Sequence, residues 1–539
     1  MRFGIIGAML LISLMTADPL QHSGAQDEEW PPFHALRPLD FTCCEQALRQ
    51  LTGNDIARLN SLIIEQPIAA LTAAMDRGDL TAYDLTRYYL YRIKTYDIDQ
   101  LNAVIELNPD VLELARQRDQ ERANGIVHGP LHGIPVLLKD NISTAPYLHT
   151  TAGAAALQTA YARRDAFLVS KLREAGAIIL GKTNMSEWAN WMHYAPANGF
   201  SAVGGQVVSP YFDWLDPSGS STGSAVAISA NLAPLAIGTE TIGSIISPSA
   251  RSGVVGFKPS LGLISGDMVI PIANEIDSAG PIGRTVTDVA LAMTVLAGSG
   301  DLGDPRTSAA AALIGADFSA SLDSDHLQGA SVGIIAFDSE LSDEDQLDMY
   351  DLWEEVEALE GAGATVTVIR PPEFPSLDVG TFLSCDMRHG VDDWLTRVDA
   401  EFESLDEITT FNESSPWLMP YGQERLIEAA NCPLTDVETS TLGESMRRAA
   451  REYMDALFAE NHVDLLLSVD DLFSLQYALS GFPAISIPHG ATAEGIPSGL
   501  TLVGPYLSDI DLLGYAFAFE QTATWRVPPA LVAAILPPE

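Results

Sequence analysis

The chain has 539 residues, 47% of them hydrophobic and 19% charged, a composition that excludes a disordered chain. Its 42 Gly and 32 Pro follow no period, which excludes collagen-like and low-complexity readings. Acidic residues outnumber basic ones 72 to 29, a formal charge of −43, and so acidic a chain repels phosphate backbones and anionic membrane surfaces.

The N-terminus reads as a targeting segment. Met1-Arg2 supplies a positive start, Phe3 to Met15 is an apolar run too short to span a bilayer, and Ser23-Gly24-Ala25 offers small residues for cleavage before Gln26. The competing reading is a buried N-terminal helix. Cleavage would remove one Arg and one Asp and leave the charge at −43. Export, periplasmic or secreted, is the expectation, and it permits a disulfide among Cys43, Cys44, Cys385 and Cys432, for which three pairings are open.

From about residue 28 to 124 the pattern is mostly helical. Thr81 and Asp84 stand in capping-box spacing ahead of apolar residues recurring every three or four positions. A second helix is expected between Pro109 and Gly125. His128 and His132 follow, four apart, but Gly129-Pro130 keeps them off a shared helix face; with no CxxC and no HExxH, no metal site is expected.

The character then changes. Ile134–Leu138 and Ala177–Leu180 are short apolar runs that read as buried strands, with a helix through Asp165–Gly176 between them. Further strands are expected over 332–337, 365–369, 462–469 and 482–487, with one acidic helix near 340–360 whose charges read as a solvated face rather than a binding face. Strands alternating with helices predict an α/β fold with a partly parallel sheet. Gly298–Ala330 reads as a long surface connection inside a single domain, residues 26–539, whose α/β core runs from about 125.

Chemistry concentrates in two places. Lys139, one of only five lysines, directly follows the apolar run Ile-Pro-Val-Leu-Leu. A lysine in apolar surroundings loses proton affinity and can act as a general base, though pairing with Asp140 or snorkelling to water would fit as well. Residues 216–244 hold two small-residue turns that bring backbone N–H groups close to a substrate. Serines in such turns more often cap helices than attack substrates. Gly219-Ser220-Ser221-Thr222-Gly223 fits GxSxG and would make Ser221 an α/β-hydrolase nucleophile, but no strand pattern precedes it.

Residues 131–144 (LHGIPVLLKDNIST), 179–190 (ILGKTNMSEWAN), 216–262 and 276–290 (IDSAGPIGRTVTDVA), with the closing segments GFPAISIPHG, IPSGLTLVG and AFEQTA, resemble the amidase signature family in that order. The resemblance spans roughly residues 60–525 and is strongest to peptide amidases, since Glu240 and the SEWAN run are in place. It implies one α/β/α domain, a central mixed sheet covered by helices on both faces. It also implies a Ser-Ser-Lys catalytic triad: Lys139 as base, Ser220 as bridging serine after a cis peptide bond, and Ser244 as nucleophile, with N–H groups of Thr241, Ile242, Gly243 and Ser244 holding the oxyanion. The implied reaction is hydrolysis of a linear carboxamide, of small-molecule or peptide origin, without metal or cofactor. Fatty-acid or aryl amides are the alternative substrates; an inactive binding protein and a component of a tRNA-dependent transamidase are the remaining readings. A monomer or homodimer is expected, with no nucleic-acid partner and no membrane partner after leader removal. The chain departs from the commonest signature at Ile242, where Gly is usual, at Ile246, where Arg is usual, and at Ser218-Gly219, where Gly-Gly is usual.

Overall fold

A computed structural model describes residues 36–535 except 195, 196, 299, 302 and 339. The expected leader and its cleavage site lie outside the described residues.

Eleven strands form one mixed sheet. They are β1 (Val104–Leu107), β2 (Pro135–Lys139), β4 (Ile178–Thr183), β7 (Leu235–Glu240), β8 (Val255–Lys258), β9 (Ser278–Gly283), β10 (Ser331–Ile335), β11 (Thr365–Ile369), β13 (Leu465–Val469), β14 (Ala484–Ala491) and β15 (Pro497–Val503). Their order is β1-β4-β2-β7-β9-β8-β14-β15-β13-β10-β11. The remaining four make two short antiparallel ribbons: β3 (Tyr161–Ala162) with β12 (Val398–Asp399), and β5 (Phe200–Ser201) with β6 (Gly205–Gln206). Helices flank the sheet, so its middle strands are buried on both sides; β2, β4, β7, β8 and β9 contain no exposed residue.

The local signals act as expected. Thr81 Oγ1 accepts from the Asp84 N–H at 2.9 Å and opens the helix Ala82–Arg92. The helix Val111–Ala123 stops just before Gly125, at φ +77°. Two expectations need correction. The acidic stretch is two helices, Asp343–Tyr350 and Trp353–Gly361, separated at Asp351, whose φ is +53°. The stretch 298–330 is not merely a surface connection: it holds a 3-10 segment, Pro305–Leu313, and buries Phe318 and Leu327 completely. Those two apolar side chains, set in a Gly/Ala/Ser/Asp background, are what draw it onto the core. Strands from both sides of it share the sheet, and the mostly helical N-terminal part contributes the edge strand β1.

Cys385 and Cys432 form a disulfide across 47 residues, while Cys43 and Cys44 are free thiols. The bridge ties the helix Val379–Thr396 to the end of the helix Glu424–Ala430, two helices that reach the cleft described next. No helix among the described residues is long and apolar enough to cross a membrane.

Candidate active site

The site is built at one edge of the sheet. β2 and β7 are parallel neighbours, with Leu138 beside Ile237, so both chains leave the sheet at the same edge. β2 ends in Lys139 and β7 in Glu240. Substrate sites of parallel sheets lie at such carboxyl ends.

Lys139 has no solvent exposure. It does not pair with Asp140. That carboxylate turns to the other side and accepts from Thr151 and Gly153. Lys139 Nζ instead donates to Ser220 Oγ at 2.7 Å and to the carbonyl of Thr239 at 3.1 Å. Burial lowers its pKa to about 7, against the pull of Asp277 and Glu240, which favour the ammonium.

The turn that presents Ser220 is held from several sides. Asp216 Oδ1 accepts from the Ser218 N–H at 2.7 Å, and Thr222 Oγ1 donates to the Ser218 carbonyl at 2.6 Å. These bonds hold Ser218 at φ +60°, a conformation glycine would adopt more easily, where the commoner signature has glycine. The Gly219–Ser220 peptide is cis. Gly219 must be glycine because a Cβ there would come within 2.4 Å of Ser186 Oγ. Ser221 is fully buried, and its hydroxyl donates to the Thr239 carbonyl at 3.0 Å and accepts from the Thr239 N–H at 3.2 Å. It fastens the turn to β7, and with no strand ahead of it the nucleophile-elbow reading fails.

The second turn, 241–244, lies against the first, since the Ser221 N–H donates to the Ser244 carbonyl at 3.1 Å. Glu240 Oε2 accepts from the N–H groups of Ile245 and Ile246 at 2.7 and 3.0 Å and so anchors the start of the helix Ile246–Arg251. Gly243 has φ +79°. The N–H groups of residues 241–244 donate to no backbone acceptor among the described residues. Thr241 Oγ1 donates to Asp277 Oδ1 at 2.6 Å.

Ser244, Gly243, Ile242, Thr241 and Gly219 line a cavity of about 300 Å³. One wall is apolar, formed by Trp191, Ile242, Ile272 and Leu383. Ile242 therefore faces the cavity, whereas Ile246 is buried in a core cluster with Tyr477 and Phe482 and is not part of the wall. Over Trp191 lies the guanidinium of Arg425, 4.3 Å from the ring centroid and 5.2 Å from that of Tyr194. Trp191, Arg425 and Asp471, which all line the cavity, carry no local sequence signal; they come respectively from the end of a 3-10 turn, a short helix and a strand end far apart in the chain. Asp277 was within reach, inside the segment IDSAGPIGR.

A protein-family model named Amidase matches residues 84–469. A protein of Arabidopsis thaliana described as a "probable amidase" is 35% identical over 486 residues, covering 87% of this chain and 92% of that one. A glutamyl-tRNA(Gln) amidotransferase component from Thioalkalivibrio sulfidiphilus is 31% identical, over 86% and 99%. Among solved structures, the peptide amidase of Stenotrophomonas maltophilia superposes with a TM-score of 0.81 at 39% identity, covering 87% of this chain and 99% of that one. With this agreement in sequence and fold, the chain belongs to the amidase signature family and is a hydrolase acting on amide C–N bonds.

Proposed function

We propose that this enzyme releases ammonia from peptides ending in a primary carboxamide, using Ser244 as nucleophile, Ser220 as proton bridge and Lys139 as base. The observation that carries the reading is the 2.7 Å bond from a fully buried Lys139 Nζ to Ser220 Oγ, beside the loop that ends at Ser244. Neutral Lys139 takes the Ser220 proton as Ser220 takes that of Ser244. Ser244 Oγ bonds to the amide carbon, and the N–H groups of residues 241–244 receive the negative oxygen. The proton returns along the same path to the nitrogen as the C–N bond breaks and ammonia leaves. Water then repeats the sequence on the acyl-enzyme. The relay requires the Ser244 hydroxyl to reach Ser220 in the substrate complex, where catalytic hydrogen bonds commonly tighten. A serine-directed phosphonate should label Ser244, located by peptide mass mapping; label on any other serine removes it from this role.

The substrate class rests on the 39% identity to a peptide amidase and on an acyl wall of Trp191, Ile242, Ile272 and Leu383 suited to apolar side chains. A matched pair decides it: a dipeptide amide against the same acyl group on an anilide or a long-chain amine. Faster turnover of either of the latter, by kcat/KM, would assign the enzyme to aryl or fatty amides. The match to an amidotransferase component supports a second reading, in which the released ammonia is passed on rather than lost. Free ammonia in stoichiometric yield from the isolated chain counts against it. We place the enzyme outside the cytoplasm, on the leader-like pattern expected of residues 1–25 and on the Cys385–Cys432 bridge. A mature protein beginning at Gln26 is the expected mass.

A further inference from the structure

The turn between the helix Val111–Ala123 and β2 brings together Glu121, His128 and His132, with one ligand atom of each within 4.8 Å of the other two. Gly129-Pro130 does keep the histidines off a common helix face, but the turn folds their ring centroids to 5.4 Å. His132 Nε2 lies 3.1 Å from the carbonyl of Arg118. A carbonyl only accepts, so Nε2 carries the hydrogen and Nδ1 is left with a free lone pair. That Nδ1 is buried, in a side chain with no exposure, and has no hydrogen-bond partner. Glu121 Oε2 stands 4.0 Å from it and 3.3 Å from His128 Nε2. A lone pair and a carboxylate oxygen facing each other repel unless a cation sits between them. Gly176 keeps the approach open: a Cβ there would lie 2.4 Å from Nδ1.

We propose that Glu121, His128 and His132 bind a zinc ion that pins the turn ahead of β2. Two imidazoles and a carboxylate suit zinc, and three protein ligands leave the fourth position to water on the exposed His128 side. The bond from His132 Nε2–H to a backbone carbonyl is the outer contact that orients a zinc-bound imidazole. With metal bonds near 2 Å, tetrahedral ligand atoms stand about 3.3 Å apart. The Glu121–His128 pair is already at that spacing, and the Glu121–His132 pair, at 4.0 Å, has to close by about 0.7 Å. Arg118 Nη1 donates to the same Glu121 oxygen at 2.5 Å, and Arg122 Nη2 to the His132 carbonyl at 2.9 Å. These two guanidiniums oppose a divalent cation and make the site weaker than a closed structural zinc centre. It stands at the opposite end of β2 from Lys139, so zinc stabilises the fold and leaves the chemistry alone.

The test uses the full-length enzyme, untagged and stripped with chelator, titrated with zinc chloride by calorimetry. One ion per chain should bind, the thermal midpoint should rise, and amidase kcat should not change. Cobalt(II) should give visible absorption bands of low-symmetry nitrogen–oxygen ligation. His128→Ala, at an exposed position, and the near-isosteric Glu121→Gln should each weaken zinc binding at least ~10-fold. Absence of stoichiometric binding in the parent, or equal affinity in both variants, would overturn the site.

Discussion

Lys139 and Lys258 end the strands β2 and β8, and neither is exposed to solvent. Burial lowers both amines, to about 7 and about 8, and the same Glu240 carboxylate pulls both the other way. Their partners differ. Lys258 Nζ donates to the carbonyls of Phe482 and Pro259, at 2.8 and 3.0 Å. Carbonyls hold an ammonium but cannot give up a proton to an amine. Lys139 donates to a hydroxyl, and that hydroxyl belongs to a turn whose neighbour lines the cleft. A lowered pKa is therefore common to both regions, and the ability to move a proton belongs to one. Lys182 donates to the Ile142 carbonyl, lies 3.8 Å from Asp140, and reaches one hydroxyl, that of Thr144, only at 3.5 Å and outside the cleft lining, so it falls with Lys258.

The largest effect should separate the two lysines directly. Lys139→Ala should lower kcat/KM at least ~10³-fold, because a general base and the activation of the nucleophile are lost together. Lys258→Met, which keeps the length of the side chain, should leave kcat within about threefold and act on the thermal midpoint instead. A folded Lys139→Ala enzyme with near-normal turnover, or a Lys258→Met enzyme as dead as Lys139→Ala, would erase the distinction.

Titration should sharpen it. Lys139 works as the neutral amine, so protonation removes activity. With its pKa near 7, kcat/KM should fall about tenfold per pH unit below 7 and level off above. Lys258, at about 8, should leave no second break in the profile. A profile flat down to pH 5 would mean that no such base takes part.

How much of this was legible follows the same division. Lys139 could be found because two signals coincide: a charged residue at the end of a continuous apolar run, and a motif that runs unbroken to both sides. The strands 365–369 and 465–469 were legible for the first reason alone, as short apolar runs bounded by polar or turn residues. β8 and β9 were not, because VGFK and SAGPIG are rich in Gly, Ala and Pro and take their strand character from burial between neighbours. The cleft wall was illegible in its distant parts. Leu383 and Arg425 sit on ordinary amphipathic helices, and only the fold, tied there by Cys385–Cys432, turns them toward Ser244. The approach of the two histidines carried no sequence signal: Gly129-Pro130 keeps them off one helix face, and only the folded turn sets their rings 5.4 Å apart.

Ile242 gives a smaller effect, on selectivity. It is the branched aliphatic residue of the turn that ends at Ser244, and it closes one side of the acyl wall. Ile242→Gly restores the commoner turn and removes a sec-butyl group from the cavity. The ratio of kcat/KM for a bulky acyl group over a small one should rise about tenfold, the worth of a few methylenes in an apolar pocket. The Lys139 acid limb should stay where it is, which separates pocket shape from proton transfer; a moved limb would show that the turn also sets the base.

The finest distinction between the two lysines is their second carboxylate. Glu240 acts on both, but Asp277 acts on Lys139 and Asp509 on Lys258. Asp277 is held by Thr241 Oγ1 and by the N–H groups of Ile272 and Ala273, and burial raises its own pKa to about 6. It is thus ionised where Lys139 titrates, and its negative charge favours the ammonium. Asparagine fits the same place: its carbonyl can accept from the two N–H groups, and its amide can donate to the Thr241 hydroxyl, which only has to rotate. Asp277→Asn should therefore lower the Lys139 pKa and move the acid limb to lower pH, by less than about one unit, with the plateau kcat kept within severalfold. Asp509→Asn should leave the limb in place, because Asp509 faces Lys258. The comparison is read from the limb position and not from the rate, so a variant that merely loosens the turn would lower the plateau without moving the limb. A limb that shifts upward in Asp277→Asn would reverse the sign of the interaction and with it the claim that Lys139 works against the pull of its carboxylate neighbours.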